Sequence, residues 1–137
     1  MSIQKEKQYI FKVSESDLDK VHSDLADILK YLPASVYDES LICLHELVIN
    51  SIKEMKTVHK EDQFITIDLL TTEDEAVICL KDLGRGLNEE QIYDRDQNPL
   101  RETGRGLDII TLLADWFCVF QESNCCNSYY VIKKICN

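Results

Sequence analysis

Residues 35–59 read SVYDESLICLHELVINSIKEMKTVH, and the reading of this stretch decides the fold. Leu41, Leu44, Leu47, Val48, Ser51, Ile52 and Met55 recur at three- and four-residue spacing, the period of a helix with one buried side. Glu46 and Asn50, four apart, share a face of that helix, and Cys43 and Lys53 extend the stripe. Taken alone, a Glu/Asn/Lys stripe is usually a solvated face, so its meaning depends on what flanks it.

On the N-terminal side, Gln8-Tyr9-Ile10-Phe11-Lys12-Val13 predicts a strand. Ser16 is expected to cap a first helix with apolar Leu18, Val21, Leu25, Ile28, Leu29 and Leu32, which Pro33 ends. On the C-terminal side, the alternating run Phe64 to Leu70, a polar turn from Thr71 to Glu75 and the run Ala76 to Leu80 predict an antiparallel hairpin. A short helix is expected near Asn88, a polar loop from Asp94 to Thr103, a helix from Leu107 to Trp116, and a closing hairpin of Phe117–Phe120 with Tyr129–Ile132. The order β, α, α, β, β, short α, loop, α, β, β predicts an α+β two-layer sandwich. Its helices cover one face of a mixed, mostly antiparallel sheet, in a single domain spanning 1–137.

Composition narrows the function. A chain of 137 residues with 45% hydrophobic and 29% charged residues has the balance of a globular domain with one core. A formal charge of -10 argues against nucleic acid, whose phosphates are held by clustered Lys and Arg. It leaves nucleotide binding open, because a nucleotide is neutralised locally by a metal, helix N-termini and a few cations. No apolar run has signal-peptide or membrane-spanning character, which predicts a cytoplasmic protein with no membrane association. The six cysteines show no C-x-x-C spacing, so a zinc site is not expected, and Cys125-Cys126 reads as a turn that carries two thiols.

Two glycine motifs give the helix stripe its meaning. Asp82-Leu83-Gly84-Arg85-Gly86 follows directly on a predicted strand. There a carboxylate can accept a hydrogen bond from the exocyclic amine of adenine, while the glycines let the backbone lie against a nucleotide. Thr103-Gly104-Arg105-Gly106-Leu107 opens a helix, whose free amides suit phosphate, and Arg101 and Arg105 add local cations. Neither motif is a Walker A loop or a completed dinucleotide fingerprint. Beside them, Asn50 can offer Mg²⁺ a hard oxygen ligand, Glu46 can deprotonate an attacking hydroxyl or water, and Lys53 can meet a phosphate. Each motif alone is a common turn or helix start. The ordered set is the parts list of an ATP site.

In that order the chain resembles the GHKL superfamily of ATPases, with Glu46 and Asn50 at its N box, Asp82, Gly84 and Gly86 at its G1 box, and Gly104 and Gly106 at its G2 box. Within it, the run Pro99-Leu100-Arg101-Glu102-Thr103-Gly104-Arg105-Gly106-Leu107 is similar to one common in bacterial anti-sigma-factor serine kinases of partner-switching systems. Asp115 also stands where such proteins often carry an acid before the next strand. The resemblance implies the Bergerat ATP-binding fold and transfer of the γ-phosphate of ATP to Ser or Thr of a small STAS-type antagonist. It implies a sigma factor or other regulatory protein as target, and a homodimer. It makes Glu46 the base, Asn50 the Mg²⁺ ligand, Asp82 the adenine reader and Ser128 an adenine support. Two departures stand out: Glu54 occupies a position where the family often has His, and Asn124-Cys125-Cys126-Asn127 replaces a usual glycine.

Two other readings compete. A detached histidine-kinase catalytic domain would use His45-Glu46-Leu47 as a phosphoacceptor box, but the same Glu46 is needed in the N box, so His45 is expected to be a structural helix residue. A non-catalytic nucleotide-binding module would hold ATP and a partner and transfer nothing; the retained Glu46 argues against it.

Overall fold

The computed structural model describes residues 3–85, 105–122 and 126–135. The chain forms β1 (Lys5–Lys12), a 3-10 turn (Val13–Glu15), α1 (Leu18–Leu29) and α2 (Ala34–Thr57), then β2 (Phe64–Thr71) and β3 (Glu75–Asp82). It closes with α3 (Arg105–Leu113), β4 (Trp116–Glu122) and β5 (Cys126–Lys134). The expected helix near Asn88 and the loop before Gly104 lie outside the described residues.

The architecture is α+β. The five strands run in the order β1-β2-β3-β5-β4. Each described pairing is antiparallel, where a mixed sheet was expected. The reason lies in the return from β3 through α3. It delivers β4 one place beyond β3 in the same direction, and the β4–β5 hairpin then slots β5 between the two, antiparallel to both.

Strand alternation puts Ile65, Ile67 and Leu69 of β2, Ile78 and Leu80 of β3, and Tyr129 and Val131 of β5 on one face. There they bury against Val21, Leu25 and Leu29 of α1 and Leu44, Leu47, Val48 and Met55 of α2. The opposite face carries the exposed Ile10, Phe64, Trp116 and Phe120. No helix among the described residues is long and apolar enough to cross a membrane.

Two helix ends bear on the sequence reading. Asp17, not Ser16, caps α1: its carboxylate accepts from the amides of Asp19 and Lys20, at 3.0 and 3.3 Å. The Ser16 hydroxyl donates instead to the Val13 carbonyl, at 2.6 Å, and closes the 3-10 turn. Both residues are good caps, and the turn before α1 decides between them. At the far end of α2, His59 takes a left-handed conformation (φ 58°), and Lys60 and His59 donate back to the Met55 and Lys56 carbonyls. That is a Schellman closure with histidine where glycine is usual.

Candidate functional site

The long helix α2 is the spine of the site. Glu46, Asn50 and Glu54 follow one another at four-residue spacing along one edge of it, and one described glycine of each motif docks on that edge. Gly106, the second residue of α3, lies against the first two. A Cβ added there would stand 2.7 Å from Glu46 Oε2 and 3.2 Å from Asn50 Nδ2. Gly84, in the turn after β3, lies against the third, where an added Cβ would meet the Glu54 Cβ at 2.9 Å. At Gly84 the approach needs glycine for lack of a side chain, whereas at Gly106 the neighbours are side-chain tips.

Glu54 does more than pack. Its carboxylate receives Nε of Arg85 at 2.7 Å and an Nη at 3.0 Å, a two-pronged pair that ties the β3 turn to α2. The Gln121 amide donates to the Arg85 carbonyl at 3.2 Å, joining β4 to the same turn. Glu54 thus has a cation across from it.

Asp82 closes β3 and is almost fully buried, at 2% exposure. Its Oδ1 accepts from the Gly84 amide at 3.1 Å and from Asn127 Nδ2 at 2.8 Å, and the same Asn127 nitrogen donates to the Gly84 carbonyl at 2.8 Å. Asp82 Oδ2 and Asn127 Oδ1 are buried and have no hydrogen-bond partner among the described residues. Buried polar oxygens are rarely left unmatched, so this corner of the molecule is set up for a donor.

Register separates two neighbours on β5. Asn127, not Ser128, stands opposite Asp82, while Ser128 stands opposite Lys81. Side chains alternate along a strand, so Ser128 faces away from α2 and Asp82. Its buried hydroxyl also has no partner among the described residues, but it belongs to the other face of the sheet. Asn127 is the residue of this pair that lies beside Asp82. The signal was present in the sequence as a buried-type polar pair, Asn127-Ser128, leading into an apolar strand; only the pairing with β3 tells which of the two faces the helices.

Between α2, α3 and β5, the residues Leu47, Asn50, Ser51, Glu54, Leu107 and Tyr129 line a cleft of about 20 Å³, room for about one water. Leu107 is 5% exposed and seats α3 on this cleft. Burial pushes the Tyr129 hydroxyl well above its ordinary range, and the charges of Asp82 and Glu54 push the same way. Burial also pushes the Cys43 thiol up to about 11, with Lys133 opposing and Glu39 and Glu46 adding to the rise. Cys43 is therefore an inert core thiol beneath the Glu46 turn.

α3 is held from its other end. Lys133, on β5, is buried at 7% exposure, and its ammonium donates to the Leu113 carbonyl at the end of α3 and to the Glu39 carboxylate of α2. Asp115 lies 3.9 Å from the same ammonium and accepts from the Lys134 amide at 2.6 Å.

Lys53 is exposed and lines a separate groove with Ser16, Leu18, Ile49, Ile52 and Lys56. Arg105 opens α3, and Gly86, Arg101, Thr103 and Gly104 lie outside the described residues. His45 packs edge-on against His22 of α1, with ring centroids 4.6 Å apart, so it serves the α1–α2 contact. Among the described residues no group of three or more His, Cys, Asp or Glu side chains is placed to hold a metal. Mg²⁺ does not need one where a single protein oxygen, substrate phosphates and waters complete its shell, and the Asn50 carboxamide can be that oxygen. No protein-family model and no curated protein matches the chain.

Proposed function

We propose that this chain is an ATP-dependent protein serine/threonine kinase of the GHKL type with the Bergerat fold. In this reading it is an anti-sigma-type partner-switching regulator in the cytoplasm. It phosphorylates a small STAS-type antagonist and otherwise holds a sigma factor or another regulatory protein. The observation that carries the reading is convergence. Gly106 on Glu46 and Asn50, and Gly84 on Glu54, bring sequence motifs far apart in the chain to one edge of α2, next to a buried Asp82 with an unmatched oxygen.

In this reading Asp82 takes the adenine amine, and the glycine turns let the nucleotide lie against backbone. The first turn of α3, with Gly106, is the end offered to the phosphates, and Arg101 and Arg105 are the cations this reading assigns to them. Mg²⁺, held through Asn50, supplies charge neutralisation on the phosphate oxygens. Glu46 takes the proton of the acceptor hydroxyl as its oxygen bonds to the γ-phosphorus; the bond from that phosphorus to the β,γ-bridging oxygen breaks and ADP leaves. The homodimer and the identities of target and antagonist follow from the resemblance alone.

The test is transfer of label from γ-labelled Mg-ATP into protein in cell extract, with wild type beside Glu46→Gln. A small protein labelled on Ser or Thr by wild type only supports the kinase. Acid-labile label would favour the histidine-kinase reading instead, and bound nucleotide with no transfer to a supplied acceptor would favour a binding module.

A further inference from the structure

The sheet ends in two edges of opposite character. At one edge β1 reads Lys5-Glu6-Lys7-Gln8-Tyr9-Ile10-Phe11-Lys12, and its lysines and glutamate keep another strand from adding to it. At the other edge β4 reads Trp116-Phe117-Cys118-Val119-Phe120-Gln121-Glu122, with Glu122 as its one charged residue and no proline. β5 pairs one side of β4 along its length, and among the described residues no strand pairs the other. Neighbouring residues of a strand turn their amides and carbonyls to opposite sides, so β4 offers donors and acceptors along this edge as well. Alternation puts Trp116, Cys118 and Phe120 together on the face away from the helices. There Trp116 and Phe120 are 53% and 57% exposed, and Phe120 packs edge-on against Tyr130 at 5.7 Å. Natural proteins blunt such an edge with charge, proline or a cover.

We propose that β4 is a self-association edge, which pairs antiparallel with β4 of a second copy across a two-fold axis at Cys118 and joins two five-stranded sheets into one. Two observations favour a second copy over a foreign strand. Centred on Cys118, the antiparallel register sets Trp116 of each chain against Phe120 of the other, so the strand is its own aromatic complement. Centring on Val119 would set Trp116 against Glu122 and lose both aromatic pairs. The chain also carries a formal charge of -10, so two copies repel except where charge is sparse, and β4 is such a strip. The contact is isologous and leaves the lysine-bearing β1 strands at the two far ends, so assembly stops at a dimer. The pairing stands on this edge alone, whether or not the chain binds ATP, and gives a homodimer its surface.

Sedimentation equilibrium of the full chain under reducing conditions tests it, with wild type beside Phe120→Lys and Ile10→Lys. Wild type is expected to approach twice 15.9 kDa. Phe120→Lys removes both aromatic pairs and sets charge in the contact, and should weaken association at least about tenfold. Ile10 lies on β1, on the same face and in the same cross-strand row as Phe120, so Ile10→Lys should associate like wild type. Equal weakening in both variants would mean that two copies stack sheet on sheet, and would overturn the edge. Opposite residues of an antiparallel pair have Cα atoms about 4.5–5.5 Å apart, within reach of a disulfide. Oxidation with copper–phenanthroline should therefore join two Cys118 thiols, each giving up one proton and one electron to the oxidant. The covalent dimer is expected to be absent in Cys118→Ser. Both lysine substitutions fall on exposed side chains, and circular dichroism checks that the variants fold; should Phe120→Lys not fold, the Cys118 cross-link decides. A monomeric wild type, a dimer that Phe120→Lys leaves intact, or a dimer that Cys118 does not cross-link would each overturn the proposal.

Discussion

The Arg85 guanidinium grips both carboxylate oxygens of Glu54, at 2.7 and 3.0 Å, and so fastens the turn after β3 to the helix that carries Glu46 and Asn50. Arg85 is more than half exposed, so the pair adds geometry more than stability. Its effect is to hold Gly84, and with it Asp82, at a fixed height along α2.

The two docking glycines should respond differently to a methyl group. At Gly84 the added Cβ meets the Glu54 Cβ at 2.9 Å and its backbone carbon at 3.5 Å, atoms that cannot swing away. Gly84→Ala is expected to cost about 1–3 kcal/mol of stability, read as a lower urea midpoint. At Gly106 the added Cβ meets the tips of Glu46 and Asn50, which can turn aside. Gly106→Ala should therefore lose less than about 1 kcal/mol, yet more than about tenfold in the proposed phosphotransfer, because both displaced groups are those to which the proposal assigns the chemistry. Full activity in Gly106→Ala would show that the positions of those tips do not matter.

Glu46→Gln keeps the size and packing of the side chain and removes its basicity. Nucleotide affinity is expected to stay within about threefold of wild type while transfer falls by about 10²–10⁴. Equal transfer rates would take Glu46 out of its assigned role.

Lys133 fixes the C-terminal end of α3, and its loss should be felt at Gly106 on the other end. Lys133→Met leaves the Leu113 carbonyl without its donor. Glu39, at 42% side-chain exposure, can turn to water. The expected cost is about 1–3 kcal/mol, with nucleotide affinity reduced as well. A stability loss with unchanged affinity would separate this anchor from the site.

Alkaline pH should weaken the fold through groups that hold their protons more tightly when folded. Burial and the hydrogen bond to Asp24 push Tyr9 from 10.0 to about 12. Burial pushes Cys43 from 9.0 to about 11. Between pH 9 and 12 the folded chain therefore keeps protons that the unfolded chain releases. Their stabilising contribution is complete below about pH 9 and is lost as pH rises through the folded values. Urea midpoints should fall from pH 8 to pH 11, and Tyr9→Phe should show a shallower fall; equal slopes would remove Tyr9 from this account.

Much of this molecule was legible because its signals are local. The apolar period of α2, the alternation of β2 and β3 and the glycine positions are all visible within a few residues. So was the structural role of His45, from the competing demand on Glu46. The cap of α1 was misread by one residue, because Ser16 and Asp17 differ as caps only once the 3-10 turn before them is known. Which of Asn127 and Ser128 stands beside Asp82 was not legible either, since one residue along a strand changes face. The Glu54–Arg85 pair and the Asn127 brace were not legible at all. Their partners lie 31 and 45 residues away, and only the register of β5 on β3 and the seating of the turn on α2 bring them together.

The most direct measurement is calorimetric titration of Mg-ATP into wild type and Asp82→Asn. In the variant the remaining side-chain oxygen can still accept from Gly84 and Asn127, so the turn is preserved, while the unmatched acceptor becomes a donor. The account predicts one saturable site per chain in wild type and at least about a hundredfold weaker binding in a variant whose circular dichroism and urea midpoint stay close to wild type. Equal ATP affinity in the two proteins, or no binding in wild type, would contradict it.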